Sequence, residues 1–269
     1  MPLRDAVPSS HGAGGTGAER PGTALVTGAT AGLGWSFARQ LAERGHDLVL
    51  VARDADRLAT VASGLRSAYG VQVEVLAADL SDPLELGLVE RRLAEPDRPV
   101  SVLVNNAGAG LRGRFLDHDV EQEQTMLDLL VTAPMRLTHA ALGPMTERGH
   151  GAVLNVASVA AFLPRGTYGA AKAWLVRFST WAAAEYAGRG VRVAVTCPGF
   201  VRTEFHQRMG VAPGRGPLWL DADRVARQSL DDLFRGRPLS VPTRRYRLIT
   251  TAARLVPDRA LQRLQTLGR

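Results

Sequence analysis

TALVTGATAGLG occupies positions 23–34. An apolar run ends in glycine, a glycine-rich turn follows, and WSFARQLAERG (35–45) continues at helical spacing, with Phe37, Leu41 and the alanines on one face. A strand that feeds such a turn and then a helix aims backbone N–H groups at the helix N-terminus. A pyrophosphate can approach there only if no side chain stands in the way. A lone glycine cluster is weak evidence, but here it opens the first strand–turn–helix unit, where it reads as a phosphate-binding turn. Thr27, Gly28, Thr30, Gly32, Leu33 and Gly34 are its candidate binding residues. A plain tight turn and the glycine loop of a methyltransferase are the competing readings.

Outward from this turn, strands and helices alternate. DLVLVAR (47–53), VQVEVLAAD (71–79), VSVLVNNAG (100–108), GAVLNVAS (151–158) and VRVAVTCPG (191–199) read as strands. Helical patterns separate them, over LATVASGLRSAYG (58–70) and then roughly 83–95, 121–147 and 168–188. Alternation implies parallel strands joined by right-handed crossovers. Near-continuous Val, Leu and Ala imply a sheet covered on both faces. The expected fold is therefore α/β: a single-domain, Rossmann-type, doubly wound parallel sheet of about seven strands, with ligands at the C-terminal strand ends. Beyond 200 the pattern loosens. GVAPGRGPLW (210–219) reads as a loop, and SVP (240–242) ends a short edge strand.

The chain has 269 residues, 45% hydrophobic and 22% charged, which suits one well-buried domain over 21–269. Residues 1–20 are rich in Gly, Ala, Ser and Pro, lack the apolar core of a signal peptide, and read as a disordered tail. No long uncharged apolar stretch marks a transmembrane helix. Cys197 stands alone, so no internal disulfide can form; it reads as a small buried residue in a cytoplasmic protein. The net charge of +7 is concentrated at the end, where 244–269 carries seven arginines and one acid, Asp258. That segment reads first as a solvated face of an amphipathic helix and second as a contact for acidic membrane surfaces. Nucleic acid is disfavoured, because Tyr246 is its one aromatic residue and no recognition motif is present. No metal site is expected.

The second strand ends at Ala52-Arg53-Asp54. NAD sites of this fold place an acid there for the ribose hydroxyls; Ala52 cannot serve, whereas Arg53 can fork onto a 2′-phosphate. NADP is therefore the expected cofactor, with Asp54 either facing the ribose or neutralising Arg53. Asp79 and Leu80, after the third strand, are placed to meet the adenine; a helix cap is the alternative for Asp79.

Together these stretches resemble the short-chain dehydrogenase/reductase family. TGATAGLG matches its TGxxxGxG, Asn105-Asn106-Ala107-Gly108 its NNAG, Ser158 its active-site serine, Tyr168 and Lys172 its YxxxK, and Pro198-Gly199 with Thr203 its PGxxxT. The resemblance covers about 23–205. It implies interconversion of a carbonyl and an alcohol, with catalytic Ser158, Tyr168 and Lys172. Tyr168 is implied as acid/base, Lys172 as the charge that lowers the tyrosine pKa and holds the nicotinamide ribose, and Ser158 as the bond to the substrate oxygen. Asn105, Asn106, Gly108, Pro198, Gly199, Val201 and Thr203 join the cofactor set by the same resemblance; a helix cap is the other reading of Thr203. A tyrosine with pKa near 10 is a poor base at neutral pH, and i,i+4 spacing puts Lys172 on its helix face. Lysine occurs once in the chain, at 172, and arginine's fixed fork would not replace a compact ammonium. The family also implies pairing through the long helix and the tyrosine-bearing helix, as a homodimer or homotetramer.

Two features depart from the family. Its catalytic asparagine in the long helix, which helps hold a proton-relay water, is matched by Leu130 within Asp128-Leu129-Leu130-Val131. That implies an impaired relay, with Leu130→Asn the faster enzyme. Nine residues separate Ser158 from Tyr168, fewer than the family's usual interval, yet nine extended residues still reach roughly 30 Å. The shortened loop, with Phe162, Leu163 and Arg165, either shapes the pocket or is plain surface. Phe205, Met209, Leu218 and Trp219 fall in a substrate lid over 205–225 and suggest an apolar substrate. The rival function is a cofactor-binding regulatory protein with little activity, which Leu130 favours and the intact Ser158, Tyr168 and Lys172 oppose.

Overall fold

The computed structural model describes residues 21–204, 216 and 218–256. Strand β1 (Thr23–Thr27) leads into α1 (Gly32–Glu43), then β2 (Asp47–Ala52), α2 (Ala55–Tyr69), β3 (Val73–Ala77), α3 (Pro83–Ala94) and β4 (Val100–Asn105). The long helical stretch is α4 (Val120–Leu127), a π-turn (Asp128–Thr132) and α5 (Ala133–Arg148) in succession. β5 (Gly151–Val156), a 3-10 turn (Val159–Phe162), α6 (Gly166–Tyr186) and β6 (Val191–Thr196) follow, and then α7 (Ala222–Phe234), β7 (Leu239–Ser240) and α8 (Arg244–Leu255).

Local chemistry explains where these elements start. The Asp54 side chain accepts from Arg57 N at 3.0 Å and caps α2. Asp82 caps α3, accepting from Leu84 N at 2.7 Å, with Pro83 in the first turn where its missing N–H costs nothing. The seven strands run parallel in the order β3-β2-β1-β4-β5-β6-β7. Phe37 and Leu41 of α1, Leu58 and Leu65 of α2, and Leu230 and Leu233 of α7 fill one face of the sheet. Leu86, Val89 and Leu93 of α3 and Leu137 and Met145 of α5 fill the other. The winding reverses between β1 and β4, which opens a crevice at their C-terminal ends.

The expected strands run one to three residues too long at their C-terminal ends, because the chain leaves the sheet to build the crevice. The largest difference lies beyond 200. Helix α7 is absent from the sequence expectations, and the lid range 205–225 runs into its first turn, where Val225 is in the core at 1% exposure. Residues 1–20, 205–215 and 257–269, with Phe205 and Met209 among them, lie outside the described residues.

Across the crevice β1 is clasped to β4. Thr27 Oγ1 accepts from Asn106 N and Ala107 N, both at 2.9 Å, and Asn106 Nδ2 donates to Thr27 O at 2.9 Å and Gly28 O at 3.3 Å. Gly34 lets α1 begin against this clasp, since a Cβ there would collide with the backbone carbonyl of Gly28 and with Asn106 Nδ2. Gly34→Ala is expected to cost on the order of 3 kcal/mol, as overpacking against rigid backbone does, read as a lowered thermal midpoint. An unchanged midpoint would show that the turn yields.

Candidate active site

The predicted residues gather at the C-terminal strand ends. From β1 come Thr27 and the turn residues Gly28, Thr30, Gly32, Leu33 and Gly34. Thr203, after β6, packs over that turn: a Cβ at Gly32 would lie 2.8 Å from Thr203 Cβ. Thr203 Oγ1 lies 3.5 Å from Val201 O, and Thr203 immediately precedes Glu204, which is helical. Arg57 Nη2 reaches Thr30 O at 3.4 Å and forms a two-pronged pair with Glu204 at 2.9 and 3.2 Å, tying α2 to the start of the lid.

At the end of β2, the Arg53 side chain is 74% exposed, and its guanidinium lies 3.6 Å from Asp79 Oδ2. Asp54 spends Oδ1 on capping α2, a role absent from the sequence expectations, while Arg53 reaches toward Asp79. Asp79 is no helix cap. Its Oδ1 accepts from Ser81 N at 2.9 Å and Ser81 Oγ at 2.6 Å. These bonds and Arg53 outweigh partial burial and hold its pKa below the ordinary carboxylate value. Leu80 is buried behind it.

Ser158 and Tyr168 meet. Ser158 starts the 3-10 turn after β5, its Oγ accepting from Ala160 N at 3.1 Å, and its hydroxyl is hydrogen-bonded to that of Tyr168. The nine-residue interval therefore still joins the two hydroxyls. One helical turn on, Lys172 is 5% exposed and its Nζ donates to Val156 O at 2.8 Å. The ammonium lies 5.9 Å from the centre of the Tyr168 ring.

The electrostatics differ from the sequence expectation. Packing against Met126, Leu130 and Ala171 pushes the Tyr168 hydroxyl up to about 12, only partly offset by the Ser158 hydrogen bond and the charge of Arg165. Lys172 is not among the groups that lower it, and is itself depressed to about 8 by burial. The protein alone thus keeps Tyr168 protonated, because desolvation of its phenolate outweighs the groups that favour the charged form.

Leu130, in place of the family's asparagine, is 1% exposed at the centre of the π-turn; such turns interrupt helices most often at functional sites. A side chain on Gly108 would touch Leu130 Cδ2 at 3.3 Å and approach Lys172 Nζ at 3.9 Å. Below lie Asn105 and its neighbour across the sheet, Asn155, joined at 2.9 Å.

Tyr246 was missed as a site residue. It was read only as the lone aromatic of a basic segment, yet it is 4% exposed and packs against Gly199, where any Cβ would enter its ring. Its hydroxyl accepts from Phe200 N at 3.1 Å and donates to Leu218 O at 2.8 Å. The start of α8 therefore braces the Pro198-Gly199 turn, while Arg244, Arg245 and Arg247 face solvent. An aromatic residue amid arginines was the available signal. Val201 forms a parallel bridge to Leu220.

A doubly wound sheet with a glycine cradle at its switch point and a serine–tyrosine–lysine cluster beside it defines a nucleotide-binding oxidoreductase class. The family model for short chain dehydrogenases matches residues 22–212, and the chain belongs to that family. The chain is 33% identical to a ketoacyl reductase, HetN, of Nostoc sp. over 184 residues, which span 66% of this chain and 63% of that protein's length. Among solved structures, a short-chain dehydrogenase from Sphingobium yanoikuyae in complex with NADPH is 35% identical, with a TM-score of 0.80 over 87% of this chain and 93% of that one. A bulky-bulky ketone specific alcohol dehydrogenase from Comamonas testosteroni is 32% identical, with a TM-score of 0.76 over 87% and 92%. No described helix is long and apolar enough to cross a membrane.

A buried ammonium carries a stability cost with a definite pH window. Lys172 titrates near 8 when folded and at its ordinary 10.5 when unfolded, so its cost is fully present below pH 8 and lifts as pH rises to 10.5. The shift corresponds to ~3 kcal/mol, offset by ~1 kcal/mol for the bond to Val156. Lys172→Met is expected to be more stable than the parent by ~2 kcal/mol at pH 7 in denaturant unfolding, with the gap closing toward pH 10.5. Equal or lower stability at pH 7 would contradict the burial cost.

Proposed function

We propose that the protein is an NADP(H)-dependent oxidoreductase that interconverts a carbonyl and an alcohol on a largely apolar substrate. The observation that carries this is the hydrogen-bonded Ser158–Tyr168 pair, with Lys172 one turn away, at the mouth of a glycine cradle where the sheet reverses. The turn suits a dinucleotide: α1 starts at Gly32 directly after β1 and the glycine turn, and a helix N-terminus at a strand end favours a phosphate. Gly28, Thr30, Leu33 and Asn106 would line the pyrophosphate side, Asp79 and Leu80 the adenine side, and Val201, Thr203 and Lys172 the nicotinamide side. Bound there, a nicotinamide supplies or accepts the hydride.

The chain's own part is proton transfer and positioning. Ser158 orients the substrate oxygen. In reduction Tyr168, protonated across the neutral range by its burial, gives its proton to the developing alkoxide. In oxidation it must lose that proton, which favours reduction as the easier direction near pH 7. Ala52 removes the carboxylate that would repel a 2′-phosphate, and exposed Arg53 supports NADP over NAD. The complex of the Sphingobium relative with NADPH points the same way. Apolar Phe200 and Trp219, with ring centroids 5.3 Å apart, and partly buried Phe162 and Leu163 support an apolar substrate, as does the Comamonas relative's preference for bulky ketones.

Residues 21–204 and 218–256 form one catalytic unit around this site. Trp181 of α6 and Met135 of α5, 54% and 40% exposed, suit the pairing expected of these helices.

The test is NADPH consumption over a panel of ketones, aldehydes and ketoacyl compounds, with NADH run beside it. Arg53→Gln is expected to raise the KM for NADPH roughly 10- to 100-fold, the worth of one charge-assisted bond, while leaving NADH unchanged. Tyr168→Phe is expected to abolish turnover and keep NADPH binding. Equal use of NADH by the parent would overturn the reading of Arg53, and an active Tyr168→Phe would overturn that of the acid.

A further inference from the structure

Behind Lys172 lies a space of about 10 Å³, lined by Asn105, Leu130, Pro134, Val156 and Lys172 among others. On that measure it is the size of one water. The polar atom facing this problem is Asn105 Oδ1, buried and without a hydrogen-bond partner among the described residues.

The direction of the amide is dictated by its neighbours. Ser179 Oγ donates to Leu175 O at 2.7 Å, so it must accept from Asn155 Nδ2 at 2.9 Å. Asn155 Oδ1 must then accept from Asn105 Nδ2, also at 2.9 Å. Asn105 Nδ2 has a second acceptor in Thr138 Oγ1 at 3.1 Å. Turning the amide over would set oxygen against oxygen, so Asn105 Oδ1 has to point away from Asn155. A buried carbonyl left without a donor costs about 1–3 kcal/mol, whereas Lys172 Nζ has three donors and spends one on Val156.

We infer that Asn105 Oδ1 and Lys172 Nζ hold a water between them, and that Asn105 is the positioning residue that keeps the lysine's proton supply open where the side chain of Leu130 cannot. The water donates to Asn105 and accepts from Lys172. This inference rests on the reading of Tyr168 as acid and Lys172 as its partner. In reduction the Tyr168 O–H bond breaks as the proton joins the alkoxide. The phenolate is refilled from the ammonium, the amine takes a proton from the water, and the hydroxide left is neutralised by a proton from bulk solvent. Leu130 therefore does not leave the relay impaired, as the sequence implies; the anchor moves from the helix to the end of β4.

The experiment uses the full chain with NADPH and its best carbonyl. Asn105→Leu removes the acceptor, and Leu130→Phe fills the space without touching Asn105. Leu130→Phe is expected to keep NADPH affinity within about twofold, and both variants to lose turnover on the order of tenfold and to move the pH profile of kcat. Leu130→Asn is expected to change the parent little and to restore turnover to Asn105→Leu. Folded variants with the parent's turnover and pH profile would overturn the inference. A parent that consumes no NADPH with any carbonyl would instead overturn the proposed function. In that event, or if neither variant folds, a high-resolution crystal structure decides: density within about 3 Å of both Asn105 Oδ1 and Lys172 Nζ supports the water, and its absence there overturns it.

Discussion

A single ammonium, buried at the C-terminal end of the sheet, sets the terms for its surroundings. Lys172 is held by the carbonyl of Val156, the last residue of β5, and by little else that carries charge. Gly108 leaves it room, Leu130 roofs it, and the chain of Asn105, Asn155 and Ser179 supplies polar backing between the strands and α6. Burial depresses the lysine and partial burial raises the tyrosine, so each is held near the form that the proposed reduction needs first: a protonated phenol and an ammonium that gives up its proton readily. The cost of this arrangement is met by the two packed faces of the sheet, far from the site.

The clasp at the switch point belongs to the same design. Thr27 and Asn106 join β1 to β4 through paired bonds and brace the glycine turn, so the phosphate end and the proton-transfer end are fixed to adjacent strands. The segment after β6 is fastened separately, by Arg57 to Glu204 on one side and Tyr246 to Gly199 and Phe200 on the other. Both fastenings come from residues distant in sequence.

That distance marks the limit of what the sequence made legible. Parallel strands could be read because each is a local apolar run, and the glycine turn, NNAG and the tyrosine–lysine spacing are local too. Helix α7 escaped because Val225, Leu230 and Leu233 are interleaved with charges after a loop of turn residues. The docking of Tyr246 escaped because it depends on a gap at Gly199, nearly fifty residues earlier. The capping role of Asp54 escaped because it depends on where α2 starts. The direction of the Tyr168 shift also failed. Spacing shows that a lysine is near, but only packing shows how strongly the tyrosine itself is desolvated.

Because lysine occurs once, the central claim has a direct spectroscopic handle. Protein grown on carbon-13 lysine gives one Cε resonance, and its chemical shift against pH reports the Lys172 ammonium alone. A midpoint near 8 is the result expected of a buried lysine held by one carbonyl, whereas a midpoint near the ordinary 10.5 would contradict the burial on which the site is built.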